Sequence, residues 1–187
     1  MMSKEDRIQQ FKELINQIPE PDNSRITIQN IQWLEDHGYF TAPASTKYHG
    51  AYEGGLFEHS VNVTNTLVSL TNDCNLKWER TSSPYIVGLF HDLCKIDNYI
   101  HESGLSFAPI YKYNTETILK GHGDKSIMLL STLMQLTTEE MLCIRYHMGA
   151  FTDKEEWSDY TRAIHACPNV LWTHQADMIA THIWEVN

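Results

Sequence analysis

The chain has 187 residues, 42% of them hydrophobic and 20% charged, enough for one domain with a sizeable core and too apolar for wholesale disorder. Twenty-four acidic residues against fourteen basic ones leave a formal charge of −10, which repels a phosphate polymer and argues against an extended nucleic-acid partner. No apolar run approaches the ~18 residues of a membrane span, no signal-peptide pattern stands at the N-terminus, and the four cysteines (Cys74, Cys94, Cys143, Cys167) form no C-x-x-C pair. A cytoplasmic protein with reduced thiols and no membrane partner is expected.

Ile8, Phe11, Leu14, Ile15 and Ile18 recur at helical spacing and predict a first helix from Ser3 to Ile18, stopped by Pro19. Ile28, Ile31 and Leu34 mark a second helix that closes at His37-Gly38. A loop with Pro43, Gly50, Gly54 and Gly55 follows, and then a long helix from about Leu56 towards Cys74. Ser83-Pro84 reads as a cap and a first-turn proline, opening a helix through Ile86, Leu89 and Phe90. Lys95 to Gly121 is the least helical stretch. There Tyr99, Ile100, Leu105, Phe107, Ile110, Tyr111 and Tyr113 surround Ser103-Gly104 and predict a small hairpin or irregular flap. Asp124 is expected to cap a helix carrying Ile127, Leu130 and Leu133. Thr137-x-x-Glu140 is a capping box for a helix running through His147 and ended by Gly149. Trp157 to Ala166 reads as helix, and Pro168 opens a last one to about Trp184. The fold class is all-α, a helical bundle with one short β excursion.

Chemistry concentrates in Gly88-Leu-Phe-His-Asp-Leu-Cys-Lys95. His91 and Asp92 stand near the end of an apolar helix, where a carboxylate is costly unless a cation compensates it. Imidazole with carboxylate suits a divalent transition ion. Lys95 follows Asp92 by three residues and His91 by four, so the three can face one cleft. A plain helix C-terminus, where His and Lys complement the dipole, accounts for the same residues. Further N/O ligands stand at predicted core or helix-end positions elsewhere: His59 in Gly-Gly-Leu-Phe-Glu-His, His122 between two glycines, His147 at a helix end, and Asp177 in Ala-Asp-Met-Ile-Ala.

The ordered pattern His59, His91-Asp92, His122, His147, Asp177 resembles that of binuclear members of the HD-domain metal-dependent phosphohydrolase superfamily, over roughly Tyr48 to His182. The resemblance implies a helical core at 48–187 with residues 1–47 as a helical extension. It implies two divalent ions (Mn, Fe, Co, Ni, Zn or Mg), one held by His59, His91, Asp92 and Asp177, the other by His122 and His147, with Asp92 bridging. It further implies hydrolysis of a small phosphorylated molecule, by family habit a nucleotide, through a hydroxide generated between the ions. Asp92 and Lys95 are the expected catalytic residues, with Lys95 neutralising phosphate charge.

Lys47, His49 and His174 stand where they can contact substrate, although Lys47 and His49 also fit a plain loop. Glu58 is either an acceptor for a ligand imidazole or a first-turn helix acid. Cys94 reads as core, and Arg145 as facing away from His147. The flap tyrosines either stack on a base or pack the hairpin. Two alternatives stay open: a phosphodiesterase or 3′-exonuclease on short RNA or DNA, and a metal-stabilised nucleotide-binding module without turnover. A homodimer is compatible with the sequence but not required by it. Because histidine ligands must be neutral to bind, metal loss is expected below about pH 6.

Overall fold

Ser3 opens the first helix, α1 (Lys4–Ile15), with a reciprocal capping box to Asp6. The helix ends three residues before the sequence pattern predicts, with Asn16 as its C-cap. The computed structural model describes residues 2–102 and 110–186. After α1 come α2 (Ile28–Asp36), α3 (Gly55–Asp73), α4 (Ser83–Phe90), strands β1 (Tyr99–Glu102) and β2 (Ile110–Tyr113), then α5 (His122–Ser131), α6 (Thr138–Tyr146), α7 (Trp157–Ala166) and α8 (Asn169–Ile179). A π-helical turn, Ala180–Trp184, continues α8. The protein is therefore an all-α bundle with one short antiparallel hairpin, in which Tyr99 pairs with Tyr113 and Glu102 with Ile110. Ser103, Gly104, Leu105 and Phe107, part of the expected flap, lie outside the described residues. No described helix is long and apolar enough to cross a membrane.

The long α3 is the spine. It packs against α4 and α8, while α6 contacts α4, α5 and α8. Gly88 sets the α3–α4 approach, since a Cβ there would lie 2.6 Å from the Thr64 backbone. Gly54, with φ +86°, begins α3 beneath the guanidinium of the buried Arg7, whose space a Cβ would enter. Arg7 donates to the carbonyls of Phe40 (3.0 Å) and Glu53 (2.7 Å), tying α1 to the loop before α3. Phe11, Phe40, Phe57 and Phe90 pack edge-on or tilted around one another in a single apolar cluster that also takes in residues of α6 and α8.

Two expected helix starts are corrected. Ser83 is the first residue of α4 rather than its cap, and its hydroxyl donates to Glu140 Oε1 at 2.9 Å. Asp124 does not cap α5, which begins at His122 after Gly121; the carboxylate instead pairs with Arg145 at 2.5 Å. In both places a long-range polar partner outcompetes the local backbone for the side chain. The capping box of Thr137 and Glu140 forms as expected. Glu140 is fully buried and also accepts two hydrogen bonds from Arg25, at 2.6 and 2.8 Å.

Candidate metal centre

Helix α4 ends just where its chemistry begins. His91 occupies its C-cap, and the chain then tightens into a 3₁₀ turn, Leu93–Ile96, that swings Asp92 and Lys95 to the same side. Three imidazoles converge on Asp92 with their Nε2 atoms: His122 lies 2.5 Å from Oδ1, His147 3.4 Å from Oδ1, and His91 3.5 Å from Oδ2. His59, from the second turn of α3, reaches within 3.6 Å of Oδ2 and 3.2 Å of Asp177 Oδ1 on α8. Lys95 Nζ lies 2.6 Å from Asp92 Oδ2. The two carboxylate oxygens of Asp92 thus face two different sets of side chains.

The other ring nitrogens are already engaged. His91 Nδ1 donates to Gly88 O (2.9 Å) and His147 Nδ1 to Ile144 O (2.7 Å), the carbonyls three residues back on their own helices. Those bonds fix the tautomer that leaves Nε2 as an electron-pair donor. His147 Nε2 is buried without a hydrogen-bond partner, an unsatisfied polar atom aimed at the cluster. Burial also holds the His147 pKa below its ordinary value, so the ring is neutral and able to ligate. The ligand atoms of His59, His91 and Asp177 lie within 4.8 Å of one another, as do those of His91, Asp92 and His147, and those of Asp92, Cys94 and His122. This donor set fits a divalent ion that accepts nitrogen and oxygen.

Without an ion the cluster balances its own charges. Burial opposes charge on Asp92, yet Lys95, His91 and His122 hold its carboxyl well below the usual carboxylate range. Burial likewise opposes protonation of His59, but hydrogen bonds to Asp177 and Glu185 raise it to about 9. His122 is raised to about 10, against burial, by Asp92. Burial would also discharge Lys95, and Asp92 keeps it protonated. His49 moves the other way, to about 4, through burial and the neighbouring charges of His59 and Lys95.

The cluster opens into a cavity of ≈ 380 Å³ whose wall includes His49, Asp92, Lys95, His122, His174 and Asp177. Tyr99 and Tyr113 pack with their rings tilted at 57° and centroids 5.3 Å apart and also line it, so they serve both the hairpin and the cavity. A larger cavity of ≈ 570 Å³ lies elsewhere, beside Lys77, Glu139 and Trp172, and is lined by none of the candidate site residues. Lys47 is exposed and does not line the cluster's cavity, whereas His49, two residues on, does. His174 is buried and donates from Nδ1 to His147 O at 2.8 Å. Glu58 meets no site histidine; it pairs with Arg7 (3.5 Å) and accepts from Tyr52 (2.8 Å). Arg145 turns away to Asp124 and Glu156.

Two contributors escape the sequence pattern. Cys94, read as core, is buried but offers its sulfur beside Asp92 and His122. Glu185 is the carboxylate that meets His59 Nδ1, at 3.0 Å, across 126 residues of chain. No local pattern could flag that pairing.

An all-α bundle with a buried His/Asp cluster at the floor of a cavity defines a protein able to hold a metal ion. Over 78 residues, 40% of this chain, the sequence is 32% identical to a dihydroneopterin 2′,3′-cyclic phosphate phosphodiesterase from Methanocaldococcus jannaschii. The match spans 31% of that relative's length. No protein-family model matches the chain, and no solved structure matches it.

Proposed function

We propose that this chain is a metal-dependent phosphohydrolase of the HD type, acting on a small phosphate ester or anhydride, with a nucleotide as the leading substrate class. In this reading residues 48–187 form the hydrolase domain and residues 1–47 a helical extension of it. The geometry around Asp92 carries the reading. Oδ1 faces His122 and His147, Oδ2 faces His59 and His91, and Asp177 closes the His59 side. His59, His91, Asp177 and Asp92 would hold one divalent ion and His122, His147 and Asp92 a second. When bound, such ions supply Lewis acidity towards a phosphoryl oxygen and a nucleophile at neutral pH.

The remaining work falls to side chains on the cavity wall. Lys95, buried beside Asp92, presents positive charge where negative charge develops on phosphoryl oxygens. His49 and His174 orient the substrate from the same wall, and Lys47, exposed two residues before His49, is placed to meet a part of the substrate that extends beyond the cavity. A volume of ≈ 380 Å³ falls within the range of small-ligand pockets, which favours a small molecule over a polymer. The similarity to a phosphodiesterase of a small cyclic phosphate makes a cyclic phosphodiester the second reading.

The test is product release from nucleoside mono- and triphosphates, 2′,3′-cyclic phosphates and short RNA with Mn²⁺ added, for wild type and Asp92→Ala. Hydrolysis of a small ester that vanishes in the variant is expected. Release from RNA ends alone would replace this reading with an exonuclease. Silence of a metal-loaded wild type on every substrate would replace it with a binding module.

A further inference from the structure

The imidazoles of the cluster are not held alike. His91 and His147 give their Nδ1 hydrogens to carbonyls of their own helices. His59 gives its own to a carboxylate from the far end of the chain, lying 3.0 and 3.2 Å from the two oxygens of Glu185. That carboxylate is itself held: Asn62, one turn along α3 from His59, donates to Glu185 Oε1 at 3.0 Å. Trp184 anchors the same segment by donating from Nε1 to Thr66 at 3.2 Å. The side chain of Glu185 is 12% exposed and that of His59 1%, so solvent does little to weaken the contact.

Backbone geometry brings Glu185 there. Were α8 to continue as an α-helix, the eight residues from Asp177 to Glu185 would place the two carboxylates about 80° apart around the axis. The chain instead makes a π-turn, Ala180–Trp184, and the Glu185 amide donates to Ala180 O at 3.1 Å. An i→i+5 turn takes up an extra residue and returns Glu185 to the side Asp177 occupies. Asp177 therefore meets Nε2 of His59 and Glu185 meets Nδ1 of the same ring.

We infer that Glu185 is a positioning residue for the metal centre: it grips the Nδ1–H of His59, fixes the ring plane and directs Nε2 at the ion. This rests on the metal reading above. A carboxylate on the outer nitrogen of a ligand histidine raises its donor strength beyond what a carbonyl provides, and losing such a partner typically costs 10–100-fold in metal affinity. Asn62 acts one step further out, by holding the carboxylate.

The experiment is Co²⁺ titration of wild type, Glu185→Ala, Glu185→Gln and Asn62→Ala, followed by visible absorption and by competition with a chelator, with folding checked by circular dichroism. Glu185→Ala is expected to weaken Co²⁺ binding about 10–100-fold and to change the absorption bands. Glu185→Gln, whose amide oxygen still accepts from Nδ1, keeps more of the affinity. Asn62→Ala gives a smaller loss in the same direction. Wild-type affinity and bands in Glu185→Ala overturn the inference. If that variant does not fold, unchanged Glu185→Gln and Asn62→Ala overturn it. A wild type that takes up no Co²⁺ sinks the metal reading and this inference together, whereas undiminished binding by the variants sinks this inference alone.

Discussion

Replacing Asp92 with asparagine keeps the shape of the side chain and removes its charge, which isolates what that charge does in the metal-free fold. The groups left behind differ in how easily they discharge. His122, raised to about 10 chiefly by Asp92 with Cys94 adding to it, loses its largest support and sheds its proton more readily. Lys95 cannot do so at comparable cost: its side chain is 9% exposed and its ammonium lies 2.6 Å from the lost carboxylate. Breaking a buried ion pair from one side costs about 3–5 kcal/mol. The amide oxygen that remains offers Lys95 a weak acceptor, which puts the expected loss near the lower end, about 3 kcal/mol. For a chain of this length each kcal/mol lowers Tm by roughly 2–4 °C, so the fall should be roughly 6–12 °C. Thermal unfolding by circular dichroism in a chelator measures it without any contribution from bound ions. Adding Lys95→Met to Asp92→Asn removes the stranded charge and should recover at least half of the loss, while hydrolytic activity stays absent. A Tm for Asp92→Asn within about 2 °C of wild type, or a double variant no more stable than the single one, would show that the Asp92–Lys95 pair does not stabilise the fold.

Three further outcomes follow from named contacts. His59 and His122 have metal-free pKa values of about 9 and about 10, above the ordinary 6.5. Their contribution to metal-free stability is thus complete below about pH 6.5 and is lost as pH rises through 9 and 10, so Tm in chelator should fall across that window. Over the same window metal affinity should rise and binding near pH 7 should release protons; a calorimetric binding heat independent of buffer ionisation enthalpy at that pH would contradict it. Protons therefore compete with the ions well above the pH 6 that unperturbed histidines suggest. Separately, Gly88→Ala puts a Cβ 2.6 Å from the Thr64 backbone and must spread α3 from α4. A loss of about 1–3 kcal/mol is expected, and an unchanged Tm would mean that the two helices are not tightly apposed.

Much of the architecture follows from short-range rules that the residues themselves display. Helical periodicity marks the helices, Thr137 and Glu140 form their capping box, and Gly38, with φ +81°, follows the end of α2. The ordered histidines and aspartates single out the side chains that the fold then gathers, because a costly polar residue in an apolar helix already announces a partner. What that partner is depends on packing. Asp124 and Ser83 look like caps in sequence, yet Arg145 and Glu140 claim them once the helices meet. Lys47 and His49 look alike two residues apart, and only the loop's path sends one to solvent and the other to the cavity. Lys95 reads as a cation facing a cleft, but its burial beside Asp92 is a tertiary fact. Glu185 is the extreme case: one π-turn at the end of α8 carries it to a histidine 126 residues away. Caps and periodicity act within about one helical turn, so the chain can declare them locally. Contacts between distant segments exist only after the bundle has closed, and they decide how this site is charged, oriented and held.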